Sequence, residues 1–294
     1  MKRNFLFKGI FYTSIASIFW GLPQPLYYNE IKFIPAFEIV SHRSIWSFFF
    51  LLIIILSMGK INEFFNIFRN RSHLIYLSLT GFLISCNWTG FILAVNLNRV
   101  QDASMGYYLS PIISIGLGNI FLKEKLSILK IISLLLMFSS IIFLLISIKT
   151  IPYIAILIGL TWAFYGLFRK KINVSAEIGL LYESGFISIF AIIYLIYLSS
   201  VGSAYFFNYS KITTFLLFFT GAMTVFPLFC FNFGLKNIPL GLAGVIFYLA
   251  PTFHFLTSIL ILNETFSNYK LISFVIIWIA VIIFIFDKQK KEYI

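Results

Sequence analysis

The chain is written as long apolar runs separated by short polar joints. Stretches such as Ile45–Ser57 and Ile131–Ile148 are dominated by Ile, Leu and Phe, relieved by single small hydroxyls. A helical run of about 20 apolar residues matches the hydrocarbon thickness of a bilayer. The pattern predicts ten such segments, at 6–28, 36–57, 72–97, 102–122, 127–148, 151–169, 176–199, 210–235, 240–262 and 268–286. The joints are too short to hold an extramembrane domain. The first segment follows Lys2, Arg3 and Lys8. It exceeds a signal peptide's apolar core and lacks a small-x-small cleavage site after it, so it reads as a retained first span.

Composition agrees with this reading. Of 294 residues, 60% are hydrophobic and 11% charged, and mean hydropathy is +0.97. A water-soluble domain carries about 25% charged residues. The expected fold class is therefore an all-α integral membrane protein with ten transmembrane helices, and the expected surroundings are lipid.

The net charge of +12 raises the question of nucleic acid, but the cations sit in clusters at the ends of apolar runs, which is a topology signal. With the N-terminus in the cytoplasm, alternate ends place sixteen Lys and Arg inside, from Lys2 to Lys291. Five lie outside: Lys32, Arg99, Lys149, Lys211 and Lys270. That bias favours N-in and C-in, and it requires an even number of spans. Cys86 and Cys230 lie within apolar runs and the three histidines are scattered, so neither a metal, a disulfide nor a cofactor is expected.

The sequence also repeats. Tyr108 and Tyr248, Pro111 and Pro251, Glu124 and Glu264, and Gly81 and Gly221 are each 140 residues apart. Earlier in each half, Phe19-Trp20-Gly21 matches Phe164-Tyr165-Gly166 and Glu38 matches Glu183, at a separation of 145. Five segments precede residue 150 and five follow. An odd number per half makes the second copy enter from the opposite side, so residues 1–149 and 150–294 read as inverted five-helix repeats within one membrane domain. Such halves enclose a midplane site and can exchange two mirror-related conformations.

Several stretches match a known family in order along nearly the whole chain. They include Phe19-Trp20-Gly21, Ala36–Ser47, Asn87-Trp88, Gly106–Pro111, Phe164–Lys171 and Tyr248–Thr252. The chain resembles the drug/metabolite transporter superfamily, in its EamA-type group of ten-helix exporters, RarD branch. Ser110 stands where Asn is expected before the first Pro, and Phe247-Tyr248 replaces a Gln-Tyr pair. The resemblance implies a bacterial inner-membrane location and efflux of small molecules.

Polar groups inside spans are costly and so are site candidates. Glu183 lies in an apolar run and could exchange a proton for substrate or pair with a neighbouring helix. Its repeat mate Glu38 falls in a first helical turn, where the helix dipole favours an anion. His42 follows one turn later, and Arg43 either binds an anionic group on a substrate or snorkels toward the outer face. Trp20, Trp88, Trp162, Tyr108, Tyr165 and Tyr248 form an aromatic set suited to lining a substrate cavity. Asn87 and Asn96 either contact substrate or tie helices together. Pro111 and Pro251 are expected as matching kinks or gates. Arg169-Lys170-Lys171 reads as a topology anchor.

The expectation is a secondary exporter of small metabolites or amphipathic drugs, working by alternating access, with protons as a candidate coupling ion. Uptake or exchange on the same fold is the alternative. No nucleotide-binding loop of the G-x-x-x-x-G-K-[ST] type is present. An intramembrane enzyme finds only Ser184, His42 and His254, without a fuller motif, and no ring of charges suggests a channel. Ten helices suffice for one copy to enclose a cavity.

Overall fold

The computed structural model describes residues 2–97, 100–148, 153–261 and 268–286, and every regular element among them is helical. In chain order these are α1 (Lys2–Gly21), α2 (Pro23–Glu30), α3 (Ala36–Ser57), a short α4 (Ile61–Ile67) and α5 (Arg71–Asn96). Next come α6 (Val100–Leu122), α7 (Ile128–Ile148), α8 (Tyr153–Lys171), α9 (Ala176–Ser200) and α10 (Lys211–Asn237). The chain closes with α11 (Leu240–Phe247), α12 (Leu249–Leu260) and α13 (Asn268–Ile285). Arg99, Lys149, Glu264, Lys288, Lys290 and Lys291 lie outside the described residues.

Among the described residues, seven stretches are long and apolar enough to cross a membrane: Asn4–Glu30, Ala36–Ser57, Arg71–Asn96, Ile128–Ser147, Ala176–Ser200, Lys211–Asn237 and Leu240–Thr257. Gly106–Leu122 and Leu271–Ile285 are shorter apolar helices. Helix α8 carries Arg169, Lys170 and Lys171 in its last turn.

Local chemistry sets the ends. The Asn70 side chain accepts from the Ser72 and His73 amides at 3.0 and 3.3 Å and so caps α5. Ser210 caps α10 through the Thr213 amide at 3.0 Å. These bonds satisfy first-turn donors that have no intrahelical partner.

Two expected segments are broken rather than continuous. The first divides at Leu22, because Pro23 and Pro25 bring no amide hydrogen to the ladder. The segment 240–262 divides at Tyr248, whose amide turns back to the Val245 carbonyl at 3.1 Å, three residues before Pro251. Pro111, by contrast, lies inside the continuous α6. The helix is thus continuous through Pro111 and interrupted three residues ahead of Pro251. Helix α4 lies in a joint for which no element was expected.

In the packed bundle α6 lies on α8, α3 on α9 and α10, α1 on α10 and α12, α5 on α8 and α9, and α7 on α13. Small residues let backbones approach. Where α6 crosses α8, a Cβ added to Gly106 would lie 2.8 Å from the Ala155 carbonyl oxygen. Helices α7 and α13 pack around their own cluster of Met137, Ile141, Phe274 and Ile277. Ser140 and Ser273 each donate to the other's carbonyl, at 3.0 and 3.4 Å. Around the outside, large apolar side chains such as Ile53, Leu135, Phe190 and Ile193 are exposed. That surface belongs against lipid.

Candidate functional site

The site is built from one face each of α1, α2, α3, α5, α6, α8, α11 and α12. A cavity is lined there by Trp20, Gln24, Arg43, Asn87, Trp88, Phe91, Tyr107, Trp162, Phe247, Ala250 and His254. The walls are rings in edge and face contact. Trp20 meets Trp162 edge-on at 4.9 Å, and Trp162 stacks on Phe247 at 5.1 Å. Tyr107 packs on Phe247 at 5.7 Å and on His254 at 6.0 Å. Large apolar walls with a few polar groups are the common form of a small-molecule site.

Arg43 supplies the charge. Its side chain is buried, with its guanidinium carbon 4.2 Å from the Trp88 ring centre and 5.6 Å from that of Tyr28. Its Nε has no hydrogen-bond partner. Asn87, at the cavity wall, donates to the Ile158 carbonyl at 3.0 Å and to Thr161 at 3.2 Å. It ties α5 to α8 and lines the site at once.

Two further spaces adjoin this one through shared side chains. One shares Trp162 and Phe247 and is lined by Ser110, Pro111 and Ser114 on α6. The other shares Trp88 and is lined by Ser47, Glu183, Ser184 and Thr224. Trp162, Phe247 and Trp88 are thus the partitions of a three-chambered interior.

Glu183 is not isolated. Its carboxylate accepts from Thr80 at 2.7 Å and from Tyr165 at 3.3 Å, and lies 3.6 Å from Arg169 Nε. Arg169 Nε also donates to Asn232 at 3.0 Å, and Asn232 donates to the Tyr165 hydroxyl at 2.7 Å. Arg169 further reaches the Ala176 carbonyl. Five buried side chains from α5, α8, α9 and α10 close one polar cluster. This corrects one expectation, because Arg169 is fully buried rather than anchored among headgroups, and it gives Glu183 the neighbouring-helix partner that was one of its two readings.

Of the remaining candidates, Trp20, Arg43, Asn87 and Trp88 meet at the main cavity. Tyr165 does not reach it and belongs to the Glu183 cluster. Tyr108 and Tyr248 face the α7–α13 cluster, where Tyr248 donates to the Tyr108 carbonyl at 3.2 Å. Asn96 donates to the Ile34 carbonyl at 3.0 Å. Glu38 accepts from the Tyr205 and Phe206 amides at 2.7 and 3.2 Å, and His42 lies 4.0 Å from Glu38 and packs on Phe206 at 4.4 Å. This pair holds the α9–α10 joint rather than lining the cavity. Pro111 lines the second chamber, and Pro251 lines none of the three.

Trp162, a member of the aromatic set, also lines the main cavity, whereas the sequence reading passed over Gln24, Phe91, Tyr107, Phe247 and His254 as site residues. The repeat held a signal for some of them. Tyr107 and Phe247 are 140 residues apart, as are Phe91 and Phe231, and all four line the first two chambers.

Comparison with known proteins gives the family and the fold. The model of the EamA-like transporter family matches residues 7–146 and again 150–286. The uncharacterized transporter YojE of Bacillus subtilis is 36% identical over 96% of this chain and 95% of its own length. Protein RarD of Escherichia coli is 31% identical over 95% and 94%, and the chloramphenicol-sensitive protein RarD of Pseudomonas aeruginosa is 23% identical over 96% and 95%. A crystal structure at 14% identity superposes with a TM-score of 0.69, covering 94% of this chain and 96% of that one; at that identity it shows the fold alone. The chain is a RarD-like membrane transporter, not an enzyme, and belongs to the EamA-like transporter family.

Proposed function

We propose that this chain is a secondary active exporter of small metabolites or amphipathic drugs, working by alternating access in the bacterial inner membrane. The observation that carries the reading is the main cavity, whose lining comes from both halves: Trp20, Arg43, Trp88 and Tyr107 from the first, Trp162, Phe247 and His254 from the second. A site shared in this way can be opened to either side by moving one half against the other.

Ten helices in two inverted repeats, with both termini inside, fit the packing. Count α1 with α2 as the first helix, α11 with α12 as the ninth, and the short α4 as part of a joint. Exchanging each helix with its mate turns the contacts α1–α10, α1–α12 and α3–α10 into α8–α5, α8–α6 and α9–α5, all of which occur. The contacts α3–α9, α6–α11 and α7–α13 map onto themselves. Two successive matches to one family model support the same division.

Protons are the coupling ion we propose, with Glu183 as their carrier. A proton on its carboxylate would remove the charge that holds Arg169 and so loosen α8 from α9. Glu183→Gln is expected to abolish the dependence of efflux on an imposed pH gradient while sparing substrate binding.

The deciding experiment is a metabolite profile of medium and cytoplasm, with chloramphenicol in an added drug panel. Cells expressing the intact chain are compared with cells expressing Trp88→Ala or Arg43→Gln at equal membrane abundance. Compounds enriched outside only with the intact chain are the expected result. Enrichment inside would establish uptake instead, and no difference would remove the cavity as the substrate site.

A further inference from the structure

We infer that the cargo of the main cavity is an organic anion: a planar or aromatic body bearing one carboxylate or comparable acidic group. The inference rests on the cavity being the transport site and adds the chemical class of what it takes.

Arg43 is 2% exposed and its Nε has no hydrogen-bond partner. Among the described residues no carboxylate lines the cavity and no ion pair holds Arg43. Two buried acids, Glu38 on α3 and Glu183 on α9, are committed elsewhere. Glu38 accepts two backbone amides of the α9–α10 joint, and Glu183 is taken up by Arg169, Thr80 and Tyr165. The faces of Trp88 and Tyr28 offset part of the charge, but a cation–π contact replaces neither a counter-ion nor the hydrogen bonds of a guanidinium.

Arg169 shows how this fold treats an arginine that it keeps for itself, with Asn232, Glu183 and a backbone carbonyl around it. Arg43 has none of these and borders a cavity. The missing partner is therefore supplied from outside the chain. A guanidinium pairs with a carboxylate through parallel hydrogen bonds. The ring walls of Trp20, Trp162 and Phe247 suit a flat apolar body on the same molecule. A small inorganic anion would leave those walls unused.

The test uses the full chain in lipid nanodiscs and calorimetric titration with three probes of one shape: 2-naphthoate, 2-naphthamide and 2-naphthylmethylammonium. Signals from empty discs are subtracted. The expected result is naphthoate at least tenfold tighter than the amide, with the ammonium weakest. Arg43→Gln should bring the first ratio close to one, and Arg43→Lys should keep an anion preference. Should Arg43→Gln fail to elute as a folded particle, the wild-type ratio and Arg43→Lys decide. A wild-type ratio near one, a ratio unchanged in Arg43→Gln, or tightest binding of the ammonium would overturn the anion assignment. Equal binding of all three, weakened by Trp88→Phe, would overturn the charge class yet leave the cavity as the site. Binding of none would overturn both.

Discussion

Among the described residues two arginines lie buried, and their surroundings differ in kind. Arg169 is held by a carboxylate, an amide oxygen and a carbonyl, with one guanidinium nitrogen left unpartnered, whereas Arg43 is flanked by ring faces. Burying a charge without partners is costly, and removing one partner of a buried pair leaves the other stranded. Gly179 makes room for the first arrangement, because an added Cβ there would overlap the Arg169 guanidinium. Gly179→Ala should therefore destabilise the protein by about 1–3 kcal/mol, seen as a lower thermal midpoint in detergent. An unchanged midpoint would show that Arg169 has room to move. At this scale the sequence was only partly legible. Trp20, Trp88, Asn87 and Arg43 could be picked out because polar and amphipathic residues are rare within spans. Arg169 could not, since a run of three cations at a helix end looks the same whether its first member dips inward or stays at the headgroups. Tyr108, Tyr165 and Tyr248 were identified as members of the repeat, but the repeat does not say which face of its helix each one occupies.

Two carboxylates fix element ends. Glu38 on α3 holds the α9–α10 joint through the Tyr205 and Phe206 amides. Glu124, just beyond α6, holds the start of α11 through the Leu240 and Gly241 amides at 2.6 and 3.0 Å. Both are charge-assisted bonds, stronger than their neutral counterparts. Glu38→Ala should speed hydrogen exchange at Tyr205 and Phe206 by roughly tenfold or more, with Glu38→Gln intermediate. Unaltered exchange there would show that ring packing alone closes the joint. The ends of most helices were readable from apolar run lengths. The breaks at Leu22 and Tyr248 were not, because proline marks where a helix is weak without saying whether neighbouring packing will carry it through, as it does at Pro111. The short α4 was hidden for a related reason: its apolar residues, Ile61, Phe64 and Phe65, read as part of a joint.

For the molecule as a whole, the orientation can be tested directly. In a background lacking Cys86 and Cys230, a cysteine replacing exposed Ser203 should react with an impermeant maleimide on intact cells. One replacing exposed Asn66 should react only after permeabilisation. The reverse labelling would invert the topology. The repeat was legible from residue spacing because matched Tyr, Pro, Glu and Gly positions stay in register across 140 residues, whereas the divided interior arises from rings meeting across helices far apart in sequence. Arg43 has one more consequence, and it is electrical. With the cavity empty, the site carries a positive charge that moves through part of the membrane field as the halves exchange places. A unit charge crossing the whole field gains or loses about 2.3 kcal/mol per 100 mV. With an anion bound, the pair is neutral and the field does no work on it. Voltage would then govern the return of the empty carrier and leave the loaded step alone. Net efflux should vary with membrane potential, while one-for-one exchange at saturating cargo should not.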